Sequence, residues 1–109
     1  MSLTSEYEFD GDDFNGASFT YSDGILNLHF SGSRWELEET KEKFRELVSN
    51  LKEGKSTTIE FEGWNGCSVI TAKPSQVSFC VSKYGGAGSG DIDFSLPLEK
   101  CVSAFENLC

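Results

Sequence analysis

The chain has 109 residues, 38% hydrophobic and 25% charged. This is the size and composition of one globular domain with a substantial core, not of a disordered segment. Eighteen acids against nine bases leave a net charge of −9. That balance excludes nucleic acid as the default partner, because phosphate binding needs a basic footprint. It argues equally against an anionic membrane surface.

No basic segment followed by an apolar run opens the chain, so no secretory signal is expected. The longest apolar run is Phe79-Cys80-Val81, far short of a membrane span. A cytosolic location is the expectation.

Residues 1 to 13 carry Glu6, Glu8, Asp10, Asp12 and Asp13. Tyr7-Glu8-Phe9-Asp10 alternates, as an edge strand or extended arm does. Asp12-Asp13-Phe14-Asn15-Gly16 reads as a turn. Ala17 to Tyr21 sets Phe19 and Tyr21 on one face. Asp23-Gly24 is a two-residue hairpin signal. Ile25 to Phe30 then alternates, with Leu26, Leu28 and Phe30 inward and Asn27 and His29 outward.

The period changes next. Leu37, Phe44, Leu47, Val48 and Leu51 recur at helical spacing, predicting a helix from about residue 36 to 52. Ser33 with Glu36 forms a capping-box pattern, Gly54 supplies the stop, and Glu39 with Lys43 makes a favourable i,i+4 pair. Trp35 is expected to lie against the helix start.

After Gly54 the period returns to two. Thr57, Ile59 and Phe61 alternate with Thr58, Glu60 and Glu62. Trp64-Asn65-Gly66 marks a turn, Cys67 to Lys73 a strand, Pro74-Ser75 a turn, and Val77 to Lys83 a strand. Tyr84 to Gly90 is a glycine-rich loop. Asp91 to Leu96 is a last strand with Ile92, Phe94 and Leu96 inward. Pro97 opens a final helix with the stripe Leu98, Cys101, Val102, Phe105 and Leu108.

The predicted order is ββαββββα, with the acidic arm in front. The expected fold is a single α+β domain over residues 1 to 109. It has one antiparallel sheet of about five to six strands and two amphipathic helices on one face.

Most candidate chemical motifs fail on spacing. Cys67, Cys80, Cys101 and Cys109 form no CxxC pair, so no zinc site is predicted. They are expected to be reduced, with Cys101 in the core and Cys109 exposed. The glycine loop lacks the Gly-Lys-Ser/Thr ending of a phosphate cradle and leads into a strand. An EF-hand register from Asp10 puts Phe14 and Tyr21 where ligands are needed. His29 with a cysteine would be the one catalytic pair to consider, but alternation leaves His29 on the solvent side without an evident partner. No catalytic set, cofactor or metal is expected.

Charge patterning is more informative. The first 33 residues carry six acids and no base, residues 34 to 55 six of each, and residues 56 to 109 six acids against three bases. Glu60 and Glu62 share one face of their strand, and Asp91 and Asp93 share one face of theirs. Tyr7, Phe9, Phe14, Trp64 and Tyr84 lie in or beside turns. Acids interleaved with exposed aromatics suit a surface that captures a basic protein: charge sets rate and partner choice, and aromatics anchor. The residues expected to carry binding are Glu60, Glu62, Trp64, Tyr84, Asp91 and Asp93, with Asp10, Asp12 and Asp13 as a second group.

Two stretches, Phe9-Asp10-Gly11-Asp12-Asp13-Phe14-Asn15-Gly16 and Gly88-Ser89-Gly90-Asp91-Ile92-Asp93-Phe94-Ser95-Leu96-Pro97-Leu98, are similar to patterns in small bacterial proteins. Together with size and charge, they make the chain resemble bacterial immunity proteins of polymorphic-toxin and contact-dependent inhibition systems. The resemblance implies a non-enzymatic inhibitor that binds a cognate toxin domain, often a basic nuclease, and blocks its active site or substrate path. That group is diverse in fold, so the resemblance transfers no site residue. The competing expectation is a small-ligand or structural module whose acids serve solubility; a deep apolar pocket without a large acidic patch would mark it.

Overall fold

The alternating stretches of the sequence become strands, and the two stretches of helical period become helices. The computed structural model describes residues 3–63, 66–83 and 89–109. The strands are β1 (Leu3–Asp10), β2 (Asp13–Ser22), β3 (Asn27–Gly32), β4 (Thr57–Gly63), β5 (Gly66–Ala72), β6 (Gln76–Lys83) and β7 (Gly90–Pro97). Helix α1 (Leu37–Lys52) joins β3 to β4. A 3₁₀ turn at Leu98–Lys100 leads into α2 (Val102–Asn107).

The class is α+β, but the single sheet expected from the sequence is two antiparallel sheets. One has the order β1-β2-β3 and the other β4-β5-β6-β7. They meet at one bridge, where Ser33 N–H donates to Glu62 O at 3.1 Å and Glu62 N–H donates to Ser33 O at 3.0 Å. The long α1 crossover explains the split. Strands joined by short turns pair along their length, whereas β3 and β4 are separated by a helix and touch only at their ends.

Local chemistry also corrects several expected boundaries. The first turn falls at Gly11-Asp12, where Gly11 takes φ +65°. Asp13 to Gly16 therefore lie in β2, with a register shift opposite Glu8 and Phe9. The Asp23-Gly24 turn spans four residues. Asp23 Oδ1 accepts the N–H groups of Ile25 and Leu26 at 2.9 and 2.7 Å, so the side chain organises a wider loop. Leu26 is thereby carried into the loop, half-exposed, and does not face inward. Ser33 does not cap α1, because its backbone is committed to the bridge; Glu36 holds the cap position without a side-chain bond. Pro97 ends β7 and caps the 3₁₀ turn Leu98–Lys100, so the final helical segment opens there as 3₁₀ and becomes an α-helix only at Val102.

Other signals have the expected result. The C-terminal end of α1 closes at Gly54, φ +78°, with Lys55 N–H donating to Asn50 O and Gly54 N–H to Leu51 O. This is the paired geometry that glycine after a helix provides. Thr40 fills the gap in the apolar stripe: it is buried, and its hydroxyl donates to Glu36 O at 2.8 Å. Lys43 lies over the Trp35 ring at 5.3 Å, and no Glu39–Lys43 pair forms among the described residues. Trp35 itself meets Phe61 edge-on at 5.9 Å.

The inner faces of both sheets and both helices share one core. Phe44 of α1 stacks on Phe61 of β4 at 6.0 Å and on Phe105 of α2 at 6.2 Å, and approaches Phe19 of β2 at 6.1 Å. Phe30 of β3 meets Phe79 and Phe94 at 5.6 and 6.0 Å, joining the sheets a second time. The inner side of β1 is tied to α2 by polar contacts. Ser5 Oγ donates to Ala104 O at 2.6 Å, Asn107 Nδ2 donates to Ser5 O at 2.9 Å, and the Tyr7 hydroxyl donates to Leu108 O.

Candidate functional site

Alternation along β4 sends Ile59 and Phe61 into the core and leaves Glu60 and Glu62 exposed on the other side. The same alternation on β7 buries Leu96 and exposes Asp91 and Asp93. Strand register carries these positions across the sheet. Glu60 faces Val69, Val69 faces Cys80, and Cys80 faces Asp93. The neighbouring row runs Glu62, Cys67, Ser82, Asp91. A third row, Thr58, Thr71, Ser78 and Ser95, carries hydroxyls only, with Ser78 Oγ and Ser95 Oγ 3.2 Å apart.

All four carboxylates thus share the face turned away from the helices. They do not form one cluster. They stand as two pairs on opposite edges, three strand spacings or about 14 Å apart. An open groove of about 520 Å³ runs over β5, β6 and β7, lined by Val69, Thr71, Ser78, Cys80, Asp93 and Ser95 among others. Arg34 Nη1 lies 3.7 Å from Glu60 Oε2, with both groups largely exposed, so this pair moderates the charge at the β4 edge only slightly.

The second group of acids belongs to the other sheet. Asp10 and Asp13 face each other across the β1–β2 turn, with Asp12 in the turn, and all three are exposed. Beside them Phe14 meets Phe9 at 5.7 Å and Tyr7 at 5.6 Å. The base of this hairpin borders the seam: a Cβ on Gly16 would sit 2.8 Å from Cβ of Ser33, the residue that bridges Glu62. Trp64 and Tyr84 lie outside the described residues, as does most of the glycine-rich loop.

The thiols of Cys80, Cys101 and Cys109 are pushed above the usual range. No disulfide joins any two of the four cysteines. The Asp93 carboxylate, hydrogen-bonded to Cys80, pushes that thiol above the usual range, and partial desolvation adds to the shift. A thiol held protonated is a donor, not an activated sulfur. Cys101 is a core residue, pushed up to about 12 by burial. His29 is exposed on β3, and its Nδ1 lies 2.8 Å from Thr20 Oγ1. Cys67 and Cys80 belong to the other sheet. Among the same residues no group of three His, Cys, Asp or Glu side chains is arranged to hold a metal ion.

The hydroxyl row and the groove escaped the sequence reading, because alternation assigns a face but not the order of strands. Their one sequence signal is the run of Thr and Ser at outward positions of successive strands. The apolar cleft between α1 and α2, bordered by Val48, Leu51, Val102 and Phe105, holds about 110 Å³. No described helix is long and apolar enough to cross a membrane.

The model of DUF5766, a family of unknown function, matches residues 27–107, from the start of β3 to the end of α2, and the chain belongs to this family. No curated protein and no solved structure matches the chain.

Proposed function

We propose that this chain is a non-enzymatic binding protein that captures a basic protein domain on the outer face of its four-stranded sheet. In its most specific form it is an immunity protein that works in the cytoplasm. There it neutralises a cognate toxin domain, a basic nuclease, by occluding its substrate path. The observation that carries the reading is the set of four carboxylates on one exposed sheet face, Glu60 with Glu62 on β4 and Asp91 with Asp93 on β7, with Asp93 also lining an open groove over β5, β6 and β7. Two lines of negative charge about 14 Å apart are on the scale of the phosphate rows that border a duplex major groove about 12 Å wide. A nuclease surface built for such rows is attracted by the same field. The acidic hairpin at Asp10, Asp12 and Asp13 extends that field from the other sheet.

A small-ligand module is less well supported. The apolar cleft between the helices, about 110 Å³, is below the roughly 300–1,000 Å³ of ordinary ligand pockets, and the larger grooves, about 520 and 430 Å³, are open and of mixed lining, not deep and apolar.

The test is charge reversal at the exposed β4 pair. Glu60→Lys with Glu62→Lys should slow association with a basic partner by about tenfold at low salt and flatten its salt dependence. Stopped-flow association at two ionic strengths reads both. Wild-type association by the double variant at low salt would remove this face from the site.

A further inference from the structure

The two outermost strands of the molecule end their sheets differently. The β1 strand is tied to α2, whose Asn107 side chain donates to the β1 backbone carbonyl of Ser5, and a register shift interrupts it at Glu8 and Phe9. The β7 strand pairs with β6 in unbroken register from Gly90 to Pro97, and no strand pairs with its other side among the described residues. Proteins usually blunt such an edge with lysine, a bulge, proline or a covering element. Here Pro97 stands only at the far end. The remaining guard is charge of one sign, Asp91 and Asp93 on the outer face, while Ile92 on the inner face is 53% exposed.

We infer that β7 is a strand-addition site for an extended segment that alternates basic and apolar residues. A strand laid along β7 places its alternate side chains directly opposite those of β7. On the outer face, lysine or arginine meets Asp91 and Asp93. On the inner face, an apolar residue covers Ile92. Main-chain bonds supply affinity and the alternation supplies selectivity. The same acids weigh against a second copy of this chain: antiparallel β7–β7 pairing centred on Ile92 or Asp93 would bring like charges face to face. The edge is better matched to a partner of opposite charge than to its own copy. The inference rests on the basic-partner reading for the partner's sign, and on β7 itself for the mode of contact.

The experiment uses the full chain, isotope-labelled, titrated with a short capped peptide alternating lysine and valine. The controls are the corresponding glutamate–valine peptide and a lysine peptide interrupted by prolines. Amide exchange is followed residue by residue. The expected result is binding of the lysine–valine peptide alone, with alternate β7 amides slowed at least tenfold, and loss of that protection in Asp91→Asn/Asp93→Asn. Equal binding of the proline-interrupted peptide, or binding without β7 protection, would overturn strand addition. So would a β7-paired dimer of the free protein. Capture of a basic protein with β7 exchange unchanged would leave the proposed function standing and sink this inference alone. Failure of every basic peptide and protein to bind at low salt would sink both.

Discussion

The three-stranded and the four-stranded sheet share one core but are fastened by different forces. In the first, β2 is closed in on both sides, with Ser18 as buried as Phe19, and β1 is held to α2 by hydrogen bonds from Ser5, Tyr7 and Asn107. In the second, the inner face is mostly apolar, with Ser68 buried among it, and the outer face carries its charge in the open. Polar bonding specifies position where the chain must close on itself. Apolar packing dominates where one face is left free for charge, with the Asn50–Thr57 bond and the Ser33–Glu62 bridge as its polar ties.

The comparison breaks if the sheets are independent, and Phe44 decides this. It touches rings of β2, β4 and α2 and is fully buried. Phe44→Ala should cost about 3–5 kcal/mol, and urea unfolding followed by probes on each sheet should shift together. Separate midpoints would mean two units. The seam gives a smaller and more local test. A Cβ on Gly32 would sit 2.6 Å from Phe61 Cβ, across the junction of the sheets, whereas one on Gly90 would meet nothing within 4 Å. Gly32→Ala should cost about 1–3 kcal/mol in thermal denaturation, and Gly90→Ala should stay within about 0.5 kcal/mol of wild type.

The smallest effect concerns the polar fastening of β1. Burial raises the Tyr7 hydroxyl from its ordinary value of 10 to about 12. Its folded pKa lies above the unfolded one, so its contribution is complete below pH 10 and is lost as pH rises towards 12. Tyr7→Phe should remove that alkaline slope and, by deleting the bond to Leu108 O, lower neutral-pH stability by about 1 kcal/mol. Stability curves at pH 7 and across the alkaline range would show both.

The sequence reveals more of the elements than of their arrangement. Period marks α1 within a residue of its ends, because its stripe is long and Gly54 closes it. The strands are legible because Ile59, Phe61, Val77 and Phe79 alternate with polar residues. Sheet division is not legible, because nothing in the alternation of β3 and β4 says that they meet only at Ser33 and Glu62. The shared face of Glu60, Glu62, Asp91 and Asp93 follows from alternation, while their placement on opposite edges depends on strand order. Ile92 misleads for a related reason: its inward position lies on an edge strand that the helices do not cover there.

The bonds between β1 and α2 also order events in time. Ser5 and Ala104 are 99 residues apart, and Tyr7 and Leu108 are 101 apart. During synthesis the inner side of β1 waits for the segment that covers it until almost all of this sequence has left the ribosome. The hairpins of the four-stranded sheet need only their neighbours. The first strand of this sequence is therefore the last of its strands to gain all its contacts.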